Sequence, residues 1–205
     1  MIKSYKSGIV FLLLIVSVLA GCSNNLQIYK SGIVYQTSDS ILIARPVSAI
    51  MTDDGKGGMA KDIASTQKIE KYMDNFIGNN VFINYKTYSL DKLLQEIIDS
   101  LINESNATIA KQKSLDGVAV RTEITNIMKR NNTNYLAVFS MHGEKEQTGT
   151  DYDYANFYLI VFEASTKSII FFGEYKQRNV DMNEKWNLEN PMSKLFNEFL
   201  KTTKQ

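Results

Sequence analysis

From residue 41 onward the apolar positions switch between a period of about two residues and one of about 3.6, so strands and helices alternate along the chain. Ile41 to Ile50 is a β-prone run broken by Pro46, which predicts a strand end or a bulge. Thr52 to Gly58 reads as a flexible turn. From about Met59 the pattern is helical, with Ile69, Met73, Phe76 and Ile77 on one face, and Asn79 and Asn80 close it. Val81 to Tyr88 predicts a second strand. Ser89 then offers an N-cap and Asp91 a first-turn carboxylate, ahead of a stripe of Leu90, Leu93, Leu94, Ile97, Ile98, Leu101 and Ile102. Asn103 to Ser114 reads as polar linker, and Asp116 is expected to cap a helix carrying Val120, Ile124, Ile127 and Met128. Tyr135–Met141, Ala155–Ala164 and Ile169–Tyr175 are consecutive strand candidates, the last two joined as a hairpin by Ser165, Thr166 and Lys167. Asn190 is expected to cap the last helix, with Pro191 at its first position and Met192, Leu195, Phe196, Phe199 and Leu200 on its apolar face. This order predicts an α/β fold. A mixed sheet ending in an antiparallel meander would be covered by helices, as a two-layer or three-layer sandwich.

The pattern ahead of residue 41 is different. Lys3 and Lys6 precede Ile9 to Ala20, an apolar run of about twelve residues that is too short to span a bilayer and right for a signal-peptide core. Ser23 to about Ser40 is polar apart from Ile33–Tyr35, and reads as a tether with a candidate edge strand. The expected division is a cleaved leader over 1–21, a tether over 22–40 and one α/β domain over 41–205. Tyr5 to Val10 recurs as Tyr29 to Val34, but one copy lies in the leader, so this is no structural repeat.

Leu19, Ala20, Gly21 and Cys22, the chain's only cysteine, end that leader. They resemble the lipobox of bacterial lipoproteins, recognised by a signal peptidase that makes the lipidated cysteine residue one. The resemblance implies at least two acyl chains on Cys22, which is what stable anchoring requires. A residue other than Asp at position 23 (here Ser23) implies, for a Gram-negative host, the periplasmic face of the outer membrane. Acylation would use the only thiol, so the core must stabilise the domain without a disulfide. Forty-four per cent apolar residues, 11% aromatics and two prolines fit a packed domain rather than a disordered stalk. The formal charge of +1 loses Lys3 and Lys6 with the leader, and this near-neutral balance gives no case for nucleic-acid binding. No cluster of four to eight basic residues marks a second membrane signal, so acylated Cys22 is the one membrane contact expected.

Val81 to Glu96 resembles a segment of curli-secretion-type lipoproteins, and of the related amino-terminal domain of TolB, in which a strand runs into a helix reading like Leu90 to Glu96. Ile43–Val47, Met128–Val138 and the hairpin Phe157–Lys167 are similar to other parts of that superfamily, and together the similarity spans roughly residues 41–203. Lys86 and Thr87 stand where the family carries an acidic residue and an arginine. The resemblance implies a periplasmic domain that binds and regulates another envelope protein or assists export, and it leaves a homo-oligomer open. An oligomeric curli-type channel subunit is the alternative. Its spanning hairpins need strands of about nine to eleven alternating residues, and neither Gly143–Tyr154 nor Asn103–Asp116 can supply them.

Candidate chemistry is sparse. His142, the only histidine, has no second histidine or free thiol near it in sequence; Glu144 and Glu146 make a poor metal set, so it reads as a strand-end surface residue. Asp53 to Gly58 lies between a strand and a helix pattern, where a loop can hold a phosphate, but it lacks the spacing of a P-loop and reads as a turn. Asp53, Asp54 and Asp62 do not have EF-hand spacing. Small-ligand binding at this loop is a third alternative. Asp151 to Tyr154 sets two tyrosines among acids at an expected hairpin tip, so Tyr152 and Tyr154 are the candidate partner-binding residues. No nucleophile–base–acid set stands out. The chain therefore reads as non-enzymatic, without cofactor or metal.

Overall fold

The computed structural model describes residues 26–31, 40–80, 85–145 and 151–203. The lipobox, the leader and Ile33–Tyr35 lie outside them. The elements run β1 (Leu26–Lys30), β2 (Ile41–Asp53), β3 (Met59–Lys61), α1 (Ile63–Asn80), β4 (Tyr85–Tyr88), α2 (Lys92–Gln112), α3 (Thr122–Arg130), β5 (Tyr135–Lys145), β6 (Asp151–Glu163), β7 (Ser168–Asp181) and α4 (Lys185–Leu200), with a 3-10 turn at Lys201–Thr203. The seven strands form one mixed sheet in the order β1-β7-β6-β5-β2-β3, with β4 also pairing β2. β2 is parallel to β4 and β5; the other pairings are antiparallel.

Helices cover both faces, which makes the sandwich three-layered. Alternate strand residues face opposite ways. Ile41, Ile43, Phe139, Met141, Phe157, Leu159, Phe171 and Tyr175 pack on Ile69, Met73 and Phe76 of α1 and on Met192, Leu195 and Phe199 of α4. Leu42, Ala44, Leu136, Val138, Ile160, Phe162 and Phe172 pack on Ile98, Leu101 and Ile102 of α2 and on Ile124 and Met128 of α3. Burial on both faces explains why these strands read as near-continuous apolar runs. At Gly173 a Cβ would meet Leu195 Cδ2 at 2.7 Å, so glycine lets α4 lie close on β7.

Several boundaries differ from expectation, each for a physical reason. Leu26–Lys30, expected in the tether, is an edge strand on β7, with Ile28 packed against the core. Met59–Lys61 pairs with Met51–Asp53 instead of opening a helix, and Asp62 caps α1. Asp91, not Ser89, accepts from Leu94 N at 2.9 Å and caps α2. That helix runs on through the expected linker to Gln112, because Ser105 and Ile109 continue its buried stripe below Ile102. Asp116 lies in a turn, and Arg121 precedes α3. The last helix begins at Lys185, so Pro191 lies inside it; burial of Leu188 and a Lys185–Glu189 ion pair at 3.2 Å support the extra turn. The bulge expected at Pro46 is present as a register shift between Ala44 and Val47. The Ser165–Lys167 hairpin is also present, with Lys167 at φ 52°.

Candidate functional site

On the face toward α2, the alternate residues of the three central strands change character partway along. Leu136 and Val138 of β5 give way to Ser140, His142 and Glu144; Phe162 and Ile160 of β6 to Tyr158, Asn156 and Tyr154; Phe172 of β7 to Glu174, Lys176 and Arg178. The register aligns these as rows: Ser140–Tyr158–Glu174, then His142–Asn156–Lys176, then Glu144–Tyr154–Arg178. The rows run from a buried polar floor to an open cleft at the carboxyl-terminal end of β5.

The floor is centred on Tyr158. Its hydroxyl lies beside the Glu174 carboxylate and the side-chain amides of Asn106 and Asn156. Burial above all, then the Glu174 charge, pushes this phenol well above its ordinary pKa. Glu174 is only 3% exposed and is paired with Lys176 Nζ at 3.1 Å, as a buried carboxylate must be. In the next row His142 Nε2 lies 3.1 Å from Asp99 Oδ1 on α2, and its ring meets Tyr158 edge-on at 5.2 Å. The outer row opens into a cleft of about 470 Å³ lined by Asp153, Tyr154, Asn156, Lys176, Arg178 and Asn179, with Gln177 beneath. The Tyr154 hydroxyl is raised by burial first and Glu144 second. Arg178 is exposed and takes part in no ion pair among the described residues.

The two tyrosines singled out by sequence part company here. Tyr154 lies in the cleft, half-buried. Tyr152 is 4% exposed on the opposite face, inside the α1/α4 core, so it is no docking residue. The reason is a bulge: Glu144 pairs with Tyr154 but Lys145 with Tyr152, so Asp153 is the extra residue and the face flips across it. Gly143 leaves room for the Tyr152 ring, since a Cβ there would meet its Cδ1 at 3.0 Å. The Tyr152 side chain lies beside Ser65 at the α1 cap, and burial raises its pKa. In that cap Asp62 accepts from Ser65 N at 2.9 Å and from Ser65 Oγ at 2.6 Å, with Lys145 Nζ at 3.5 Å. These Ser65 bonds, chiefly, hold its carboxyl below the usual carboxylate range.

The glycine loop is the tip of the β2–β3 hairpin, not a strand-to-helix turn. Its own acids occupy its N–H groups: Asp54 Oδ1 accepts from Lys56 N at 2.7 Å and Gly58 N at 2.9 Å, and Asp53 Oδ1 from Gly55 N at 2.7 Å. The Gly58 bond above all keeps the Asp54 carboxyl low. His142 lies within β5, half-buried against Tyr158, rather than on the surface beyond a strand end. Sequence reading missed Asn156, Lys176 and Arg178. The signal that marks them is the change from apolar to polar at alternate positions midway along three strands. No helix among the described residues is long and apolar enough to cross a membrane.

No family model matches the chain, and no curated protein matches it either. Some solved structures are similar to it in fold. The PelC dodecamer from Paraburkholderia phytofirmans aligns with a TM-score of 0.50 at 6% identity, over 86% of this chain and 97% of that one. Weaker likenesses reach lipoprotein GNA1162 from Neisseria meningitidis (TM-score 0.36, 11% identity, 79% of this chain and 96% of that one) and the LpoB C-terminal domain from Salmonella enterica (0.35, 10%, 71% and 86%). At these identities the likeness is one of fold.

Proposed function

We propose that this chain is a non-enzymatic envelope lipoprotein. Acyl chains on Cys22 hold it at the membrane, on the periplasmic face of the outer membrane in a Gram-negative cell. The open end of its sheet docks an envelope protein in a regulatory or export-accessory role. The observation that carries this reading is the outer row of the cleft, where Tyr154, Asn156 and an Arg178 that is in no ion pair among the described residues stand over a buried polar floor. Arginine and tyrosine on a rigid base are the residue types that dominate docking energy. The exposed guanidinium of Arg178 suits a partner segment that presents a carboxylate. A photocrosslinker placed at Asp153 should capture one envelope protein in cells, and Arg178→Glu with Tyr154→Ala should abolish the adduct while leaving the unfolding midpoint unchanged. Capture that survives the double substitution would refute this site.

The fold shared with a protein solved as a dodecamer supports a second reading, a self-assembling ring in an export machine. Light scattering of the detergent-solubilised chain separates the two. A monomer at all accessible concentrations would dispose of the ring.

A further inference from the structure

We propose that the crevice between β2, β4 and the helices on either side of them binds a small dipolar ligand, an α-amino acid, by its carboxylate and its ammonium group. This site is separate from the docking cleft and does not depend on it. β2 and β4 are parallel neighbours, paired over Ile41–Ala44 and Tyr85–Tyr88. The chain leaves β2 by way of β3 for α1, on one face of the sheet, and leaves β4 for α2, on the other. In open α/β sheets a ligand crevice forms at such a point, beyond the carboxyl ends of the strands. Here β4 ends level with Ala44 and β3 pairs only from Met51, so the outer edge of β2 has no strand partner in between. A cleft of about 390 Å³ lies there, lined by Arg45 of β2, by Glu70, Lys71 and Asp74 of α1, by Ser89 and by Gln95 of α2.

Arg45 is the residue that points to a ligand. Ile41–Ala44 and Pro46–Ser48 are buried, and Arg45 alone among them is exposed. The register shift between Ala44 and Val47 takes it out of the ladder with β5 and turns it toward the cleft. Its guanidinium is in no ion pair among the described residues, although Glu70 and Asp74 line the same cleft. Glu70 is held in place by Ser48 N, which donates to its Oε1 at 2.9 Å. A planar guanidinium binds a carboxylate through two parallel hydrogen bonds. A bare anion here would also meet Glu70 and Asp74, and a bare cation would meet Arg45 and Lys71. An α-amino acid carries both charges on adjacent carbons and satisfies the set, its carboxylate toward Arg45 and Lys71 and its ammonium toward Asp74 and Glu70. Pro46 and Leu90, also in the lining, leave apolar surface for the ligand's side chain, which ranks amino acids without deciding whether they bind.

The test is equilibrium dialysis of the full-length chain in detergent against a racemic mixture of the standard amino acids, with retained compounds quantified by mass spectrometry. Several should be retained, because the groups recognised are common to all. For the one retained best, N-acetylation and conversion to the carboxamide should each weaken binding about ten-fold or more, as loss of a charge-assisted hydrogen bond implies. Arg45→Gln and Asp74→Asn should do the same. Both side chains are exposed, so the unfolding midpoint in urea should not move. Arg45→Lys keeps the charge but loses the fork, and should recover part of the affinity. Retention of no amino acid would overturn the inference. So would retention that Arg45→Gln and Asp74→Asn leave unchanged. Inorganic phosphate competing as well as the amino acid itself would make the crevice a simple anion site, and would overturn it too.

Discussion

The two faces of the sheet are built from the same strands, yet they end differently. Toward α1 and α4, alternate residues stay apolar along nearly the full length, from Ile41 and Phe139 through Phe157 to Tyr152, and helices seal them. Toward α2 and α3, the apolar run stops at Ser140, Tyr158 and Glu174, and the sheet continues as an open polar shelf. The sealed face supplies stability through burial, which falls steeply when a large side chain is removed. The shelf spends little on stability at its rim, and in its buried row the Glu174 carboxylate is tolerated because Lys176 pairs with it. A sheet that is a core on one side and a platform on the other suits a docking module.

The largest effect should come from the sealed face. Phe157→Ala should lower unfolding free energy by about 3–5 kcal/mol in urea denaturation, because its cavity lies between two helices and the sheet. On the shelf's buried row, Tyr158→Phe removes the hydroxyl beside the Glu174 carboxylate and should cost about 1–3 kcal/mol by the same measurement. A smaller loss would mean that the polar row is solvated and that the contrast between faces is shallower than drawn. Asp62→Ala, at the end of the sealed face, should cost about 1 kcal/mol at neutral pH through loss of the α1 cap. Asp62 has a folded pKa below its ordinary 3.8, so its contribution is fully present above that value and is lost as pH falls through the folded pKa. The gap between wild type and variant should therefore close in acid; a gap that persists below the folded pKa would show that packing, not the carboxylate, is responsible. At the rim, Arg178→Ala should change stability by no more than about 0.5 kcal/mol while weakening partner capture. A large destabilisation there would make Arg178 structural and break the comparison.

Some of this was legible in the chain. The strand–helix order, the Pro46 bulge and the β6–β7 hairpin follow from local patterns, because proline's missing N–H and a short polar turn act within a few residues. The extension of α2 was harder to see, since a stripe reduced to Ser105 and Ile109 looks polar until the sheet is set against it. β1 was hidden for a related reason: Leu26–Lys30 is a five-residue edge with few apolar residues, stabilised by a neighbour far along the chain. Half of the candidate site was readable. Tyr154 was found from composition, but Tyr152 was assigned with it because alternation puts residues two apart on one face, and only pairing with β5 reveals the bulge at Asp153.

By itself the sequence determined the class, helices on a mixed sheet that ends in an antiparallel meander, because the apolar period changes from strand to helix within each segment. Only the tertiary structure decided which strands neighbour one another, where the helices stop covering the sheet, and which tyrosine meets solvent. Those outcomes depend on register between segments far apart in the chain, and a one-residue shift in register exchanges the two faces of a strand.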